Sequence, residues 1–276
     1  GPEVLMFDCG EGTQRQLMAS SVSFMRITSI FITHHHGDHF LGLPGLIQSM
    51  NFYGRDVPLH VYGPDGTAEL VDGLLGLGVF DHRYEVIGHD LAPGDVVRGE
   101  DYVVEAFQAN HTIPALGYAF QEDDRPGRFD PDRAQALGVK EGPNFSRLVE
   151  GKSIKVDGCT ITPEMVMGPP RKGLRLVYSG DTAPCQELKG ACAGVDVLIH
   201  EATATSDLGD KARQYGHSTA SEAATLAKEV GAGSLYLVHI SGRYDEVDAL
   251  LDEARRIFPD TVIPNDLDSF VLRLER

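Results

Sequence analysis

Thr33-His34-His35-His36-Gly37-Asp38-His39 places four histidines and an aspartate within seven residues, directly behind the apolar run Ser29-Ile30-Phe31-Ile32. The β-branched and aromatic residues of that run predict a strand over Ser29–Thr33. The polar cluster therefore starts where a rigid element ends, which is where a scaffold holds ligands with least slack. His34 and His36 stand two residues apart and project to the same side, while His35 points away. Gly37 is expected to tighten the turn that carries Asp38 and His39. A lone histidine in such a place is most often solvated or packed in a core. This density and order of imidazole and carboxylate, followed by the apolar Phe40-Leu41-Gly42-Leu43, points instead to a metal site. One short loop of this kind can supply two ions, which in two-metal hydrolases stand roughly 3.5–4 Å apart. Imidazole and carboxylate without thiolate suit catalytic zinc, with manganese and iron also compatible.

Outward from this loop, short β-rich runs alternate with helical patterns, which indicates a layered α/β fold. Strands are expected at Val4–Phe7, Leu59–Tyr62, Tyr102–Ala109, Leu116–Phe120, Leu174–Ser179, Val195–His200, Ser234–His239 and Ser269–Leu274. Helices are expected at Thr67–Leu77, Ser218–Val230 and Glu246–Ile257. Ser218 is the candidate cap of the second helix and Gly231 its stop. His60, His82 and His89 have no ligand-like context and read as structural or exposed.

Residues 122–175 differ from the rest. They hold Pro126, Pro131, Pro143, Pro163, Pro169 and Pro170, many glycines and little sustained periodicity. One short helix is expected there, capped by Asp130, opened by Pro131 and ended by Gly138. The stretch reads as an arm inserted into the main body. It carries 10 Lys and Arg against 9 Asp and Glu, whereas the remaining chain has 14 basic and 32 acidic residues.

A formal charge of −17 over 276 residues argues on its own against a nucleic-acid partner. The near-neutral arm answers that objection locally, since it is the one segment suited to meet a polyanion. The acidity, with lysine scarcer than arginine, is compatible with a salty cytoplasm. No apolar run approaches the roughly 18–20 residues of a membrane span, and no secretory leader opens the chain. A cytoplasmic protein with no membrane partner is expected. Cys9, Cys159, Cys185 and Cys192 show no metal or disulfide spacing and read as reduced, structural apolar residues. The chain enters a buried strand almost at once, as though its natural start were missing, and Gly1-Pro2 reads as a cloning remnant.

The histidine loop is similar to the metal-binding motif of the metallo-β-lactamase fold. That resemblance implies an α/β architecture, an αββα sandwich of two sheets flanked by helices over residues 1–276, with N-terminal strands missing. A flexible arm is inserted at 122–172. Further ligands should follow strand ends, and three candidates do: His111 in Ala109-Asn110-His111-Thr112, Asp181 in Ser179-Gly180-Asp181-Thr182, and His239 behind Ser234–Val238. By resemblance His34, His36 and His111 bind one Zn2+, Asp38, His39 and His239 bind a second, and Asp181 bridges them. Metal coordination lowers the pKa of water to about 7, and Asp38 is placed both to ligate and to orient or deprotonate the attacking water. Asp8, in Phe7-Asp8-Cys9-Gly10-Glu11-Gly12, orients a ligand histidine or, on the simpler alternative, only forms a turn.

This scaffold hosts β-lactam, thioester, sulfate-ester and phosphodiester hydrolysis, so fold alone does not give substrate. Phe-Asp-Cys-Gly-Glu-Gly-Thr-Gln-Arg-Gln at 7–16, His200-Glu201-Ala202-Thr203 and Gly216-His217-Ser218-Thr219 resemble ribonuclease Z, the tRNA 3′-processing endonuclease. Gly142-Pro143 resembles the glycine-proline arm with which that family grips tRNA. The resemblance runs from Glu3 over nearly the whole chain. It implies cleavage of precursor tRNA to a tRNA 3′-hydroxyl and a 5′-phosphorylated trailer, in a homodimer whose arms serve the partner's site. His217 would act as general acid, held by Glu201, the simpler alternative being that it only caps the helix beginning at Ser218; His200 reads as part of the strand end. Arg125, Arg128, Arg133, Lys140, Arg147, Lys152 and Lys155, with Gly142 and Pro143, are candidate RNA contacts. The resemblance also implies that an upstream substrate loop is missing, and the body is unusually acidic for an enzyme acting on RNA. The alternative within enzymes is a two-zinc small-molecule phosphodiesterase, arylsulfatase or thioester hydrolase. A catalytically silent RNA-binding or metal-storage protein is the alternative from another class.

Overall fold

The computed structural model describes residues 3–81 and 83–272. Two compact units emerge, one from residues 1–121 with 175–276 and one from residues 122–174. The larger unit begins with β1 (Val4–Phe7), β2 (Ile27–Phe31), β3 (Leu59–Gly63) and β4 (Val86–Asp90), a sheet in that order whose pairings are all parallel. The connections carry α1 (Thr13–Ala19), α2 (Gly37–Phe40), α3 (Leu43–Phe52) and α4 (Thr67–Leu75). Next come β5 (Val96–Arg98), β6 (Tyr102–Gln108) and β7 (Leu116–Glu122). The 122–174 unit supplies α5 (Pro131–Ala136), α6 (Pro143–Val149), β8 (Ile154–Val156) and β9 (Cys159–Ile161). The chain returns with β10 (Arg175–Tyr178), α7 (Gln186–Ala191), β11 (Val197–Glu201), α8 (Gly209–Gln214), α9 (Ala220–Val230), β12 (Ser234–Val238), α10 (Asp248–Ile257) and β13 (Thr261–Val262). Its second sheet runs β13-β12-β11-β10-β7-β6-β5.

Strand alternation builds the layers, because successive side chains face opposite sides. On β2 and β3, Phe31 and Tyr62 meet Val104, Ala106, Leu116, Tyr118 and Tyr178 from the other sheet. Ile30, Leu59 and Val61 face away, against Leu43, Leu46 and Met50 of α3 and Val71 and Leu74 of α4. On the second sheet Val177, Leu198, Leu235 and Leu237 pack against Ala220, Ala223, Ala224 and Ala227 of α9 and Leu250 and Ala254 of α10. This is an αββα sandwich. Gly88 lies where α4 crosses β4, and a Cβ there would sit 2.7 Å from the Ala68 backbone.

Residues 122–174 have a small core of their own, built from Ala134, Val139, Leu148, Ile154, Ile161 and Val166. The Asp130 carboxylate accepts the Arg133 backbone N–H and so caps α5. The sequence suggested one helix here; α6 and the β8–β9 hairpin are additional. Pro143 sits in the first turn of α6, where its missing N–H costs nothing.

Several expectations need correction. Thr219, not Ser218, caps α9: its hydroxyl accepts the Glu222 N–H while Glu222 reaches back to the Thr219 N–H. Ser218 instead donates to the Thr182 carbonyl at 2.6 Å. Residues 269–272 form no strand, and 273–274 lie outside the described residues, as do His82 and Gly1-Pro2. Cys9 and Cys192 are buried free thiols, their pKa pushed up to about 12 by that burial, but Cys159 is exposed. Among the described residues no helix is long and apolar enough to cross a membrane.

Phe31 is fully buried between the sheets and stacks on Phe7 and Tyr62. Phe31→Ala is expected to cost about 3–5 kcal/mol in denaturant unfolding; an unchanged midpoint would mean that the inter-sheet aromatics do not carry the packing.

Candidate metal centre

The predicted ligands converge from four strand ends. His34 follows β2; Asp38 and His39 lie on α2, a one-turn helix that Gly37 opens without a positive φ, so the expected tight turn is helical instead. His111 follows β6, Asp181 follows β10 and His239 follows β12. His34 Nε2 lies 2.9 Å from His36 Nδ1, which in turn is 3.2 Å from His111 Nε2. Asp181 Oδ2 lies 3.8 Å from His34 Nε2 and 3.3 Å from both His39 Nε2 and His239 Nε2. Asp38 Oδ2 is 3.6 Å from His39 Nε2 and 3.5 Å from His239 Nε2. Two clusters, His34/His36/His111 and Asp38/His39/His239, thus meet at one carboxylate, and each has the compactness of a metal cradle.

The surrounding hydrogen bonds show why these nitrogens face inward bare. Asp8 Oδ2 accepts from His39 Nδ1 at 2.8 Å, which leaves His39 Nε2 buried with no hydrogen-bond partner. A buried lone pair aimed at carboxylates and other lone pairs is costly unless a Lewis acid joins them, so the residues fit a metal. Thr33 Oγ1 donates to Asp8 and lies 3.0 Å from His34 Nδ1, whose N–H it can accept. The Gly216 carbonyl accepts from His111 Nδ1 at 2.9 Å. Burial, with neighbouring His39 second, pushes the pKa of His34 down to about 2, the neutral state a ligand needs. Burial likewise lowers His111. Burial opposes charge on His39 too, but the neighbouring Asp181 and Asp8 carboxylates outweigh it and push the pKa up to about 10. Asp181 is also opposed by burial, yet His39 and His239 hold it well below the usual carboxylate range.

Asp8 is more than a turn residue. It accepts the Thr33 N–H at 2.7 Å and the Tyr178 hydroxyl at 2.9 Å while keeping a left-handed φ of 58°. His217 Nδ1 lies 2.9 Å from Glu201 Oε1 and 3.9 Å from Asp181 Oδ2. Burial works against protonation of His217, but Glu201 and then Asp181 raise its pKa overall. Glu201 is buried, and its oxygens also accept the Thr182 N–H and the Thr203 hydroxyl. Thr203 Oγ1 is 3.2 Å from His239 Nδ1.

Other histidines stay out of the cluster. His35 Nε2 lies 2.9 Å from Thr67 Oγ1, His200 Nδ1 donates to the Glu201 carbonyl, and His60 pairs with His89 at 3.0 Å. Arg125, Arg128, Arg133, Lys140, Arg147, Lys152, Lys155 and Pro143 are exposed in the 122–174 unit and Gly142 partly so; Arg125 pairs with Glu122 and Lys152 with Glu150. Thr33, Tyr178 and the Gly216 carbonyl were missed as positioning groups. Thr33 and Gly216 sit inside recognised motifs, whereas no sequence signal marks Tyr178.

Two family models match parts of the chain: anti-Pycsar protein Apyc1 over residues 1–84 and beta-lactamase superfamily domain over residues 151–240. Ribonuclease Z of Methanosarcina acetivorans is 48% identical over 266 residues, spanning 96% of this chain and 87% of that protein. Its counterpart from Methanothermobacter thermautotrophicus is 46% identical over 265 residues, spanning 96% and 86%. Among solved structures, human tRNase Z, short form, superimposes with a TM-score of 0.69 at 28% identity, over 99% of this chain and 89% of that one.

Outer-ring partners of ligand histidines typically contribute 10–100-fold in metal affinity. Asp8→Ala should therefore weaken zinc binding by about that factor in a chelator competition, and unaltered affinity would reduce Asp8 to its turn.

Proposed function

We infer the reaction from one premise: the chain belongs to the ribonuclease Z family. It is a metal-dependent endoribonuclease that removes the 3′ trailer from precursor tRNA, leaving a tRNA 3′-hydroxyl and a 5′-phosphorylated trailer. The observation that carries this reading is the Glu201–His217 hydrogen bond set beside the shared Asp181. A proton donor beside a two-metal cradle is what phosphodiester cleavage with a poor alkoxide leaving group requires.

His34, His36 and His111 would hold one zinc ion and Asp38, His39 and His239 the other, with Asp181 shared. Bound there, the pair would polarise the phosphodiester and make water nucleophilic near neutral pH. Asp38 is exposed at the mouth of the cluster, where its carboxylate orients the attacking water and accepts its proton. Water oxygen bonds to phosphorus as the bond from phosphorus to the 3′ oxygen breaks. His217 delivers its proton to that departing oxygen, while Glu201 keeps the imidazole oriented and charged.

The exposed cations of residues 122–174 form the tRNA grip, where local charge favours a polyanion that the acidic remainder repels. Two copies associate as a homodimer in the cytoplasm. Exposed Met18, Val22, Phe52, Tyr53 and Val57 supply apolar surface of the kind subunit interfaces cover, Phe52 being 82% exposed.

The test is cleavage of an unmodified precursor tRNA with the cut site mapped, with and without chelator. A chelator-sensitive cut behind the discriminator nucleotide is expected. His217→Ala should lower kcat about 10²–10⁴-fold while bound metal is retained; wild-type turnover in that variant would remove His217 from the chemistry.

A further inference from the structure

A cavity of about 270 Å³ opens beside His217, lined among others by Leu208, Lys211, Tyr215 and Arg243. Its lining contains two cations and no carboxylate, in a chain whose formal charge is −17. Some other cations of this acidic surface are paired, Arg213 with Asp210 and Glu222 and Lys189 with Glu229. Lys211 and Arg243 form no ion pair among the described residues. Among the described residues, Arg243 makes a 3.2 Å hydrogen bond from Nε to the Ser241 hydroxyl. Unneutralised cations around a concavity make a place for an anion.

Tyr215 adds a flat, 54% exposed ring two residues from His217. The segment is fixed to the end of α8, since the Tyr215 N–H bonds the Ala212 carbonyl and the His217 N–H bonds the same oxygen at 2.9 Å. The intervening Gly216 holds His111 through its carbonyl. A group resting on Tyr215 is therefore held in register with His217 and with the metal ligands.

We propose that this cavity receives the last nucleotide retained on the tRNA, its base stacked on Tyr215 and its 5′-side phosphate held by Lys211 and Arg243. The inference rests on the reaction proposed above. His217 gives its proton to the 3′ oxygen, so the nucleotide beside it is the one that owns that oxygen. The volume suits one nucleotide unit, being smaller than the roughly 300–1,000 Å³ of pockets for drug-sized ligands. Stacking on an aromatic face with cations at the backbone tolerates any base, which an enzyme acting at variable discriminator positions needs.

The experiment compares kcat/KM for a precursor tRNA with kcat/KM for bis(4-nitrophenyl) phosphate in the metal-loaded full chain. The small diester reports folded, loaded enzyme and lacks the second, 5′-side phosphate that Lys211 and Arg243 would hold. In Tyr215→Ala and in Lys211→Ala the ratio of tRNA to small-diester turnover should fall about tenfold, with Tyr215→Phe restoring it. Mapped cuts in Tyr215→Ala should spread to neighbouring phosphates. A ratio and cut site equal to wild type in both alanine variants overturns the subsite. A wild type that hydrolyses the small diester and cuts no precursor overturns the proposed reaction itself, and the subsite with it.

Discussion

The carboxylate of Asp181 is the contact on which the candidate site depends. It is 3% exposed, and one oxygen lies within 3.9 Å of nitrogens from His34, His39, His217 and His239. A buried, ionised carboxylate is strongly disfavoured unless charge and hydrogen bonds surround it, and here the surrounding histidines come from behind β2 and β12 and from the segment between α8 and α9. Getting Asp181 there requires Gly180, whose φ of 58° and close approach to Thr33 leave no room for a Cβ. That approach joins the end of the first sheet to the end of the second, so sandwich packing and site geometry are one constraint.

Around this centre a second ring of groups fixes direction rather than supplying chemistry. Asp8, Thr33 and Tyr178 lock His39 and His34, and Thr203 links the Glu201 carboxylate to His239. Asp8 and His239 both sit at positive φ, at 58° and 52°. Such backbone conformations cost about 1–3 kcal/mol each outside glycine, and they persist because the hydrogen bonds on either side over-determine them. A site prepared this way needs little reorganisation when charge develops on a phosphodiester.

Much of the framework was legible in the sequence because the ligand-bearing strands are β-branched runs that end abruptly in His or Asp. Helix α3 was not, since Pro44 and Gly45, poor residues for a helix interior, fall in its first turn, where proline is tolerated. β4 hid behind Gly88, which is there for the close crossing of α4. The folded character of residues 122–174 escaped periodicity because six core side chains are spread over elements too short to show one. The cap of α9 was misplaced by one residue, since serine is the better N-cap by propensity and only the partner, Glu222 for Thr219 or the Thr182 carbonyl for Ser218, decides between them. Tyr178 acts across 170 positions of sequence on Asp8, a relation no local pattern encodes.

We propose that seven side chains from four strand ends form two metal positions sharing Asp181. Anomalous diffraction from crystals grown with zinc tests it most directly. Two peaks roughly 3.5–4 Å apart, one among His34, His36 and His111, one among Asp38, His39 and His239, with Asp181 between them, is the predicted result. A single peak, or zinc bound outside these residues, would contradict the account.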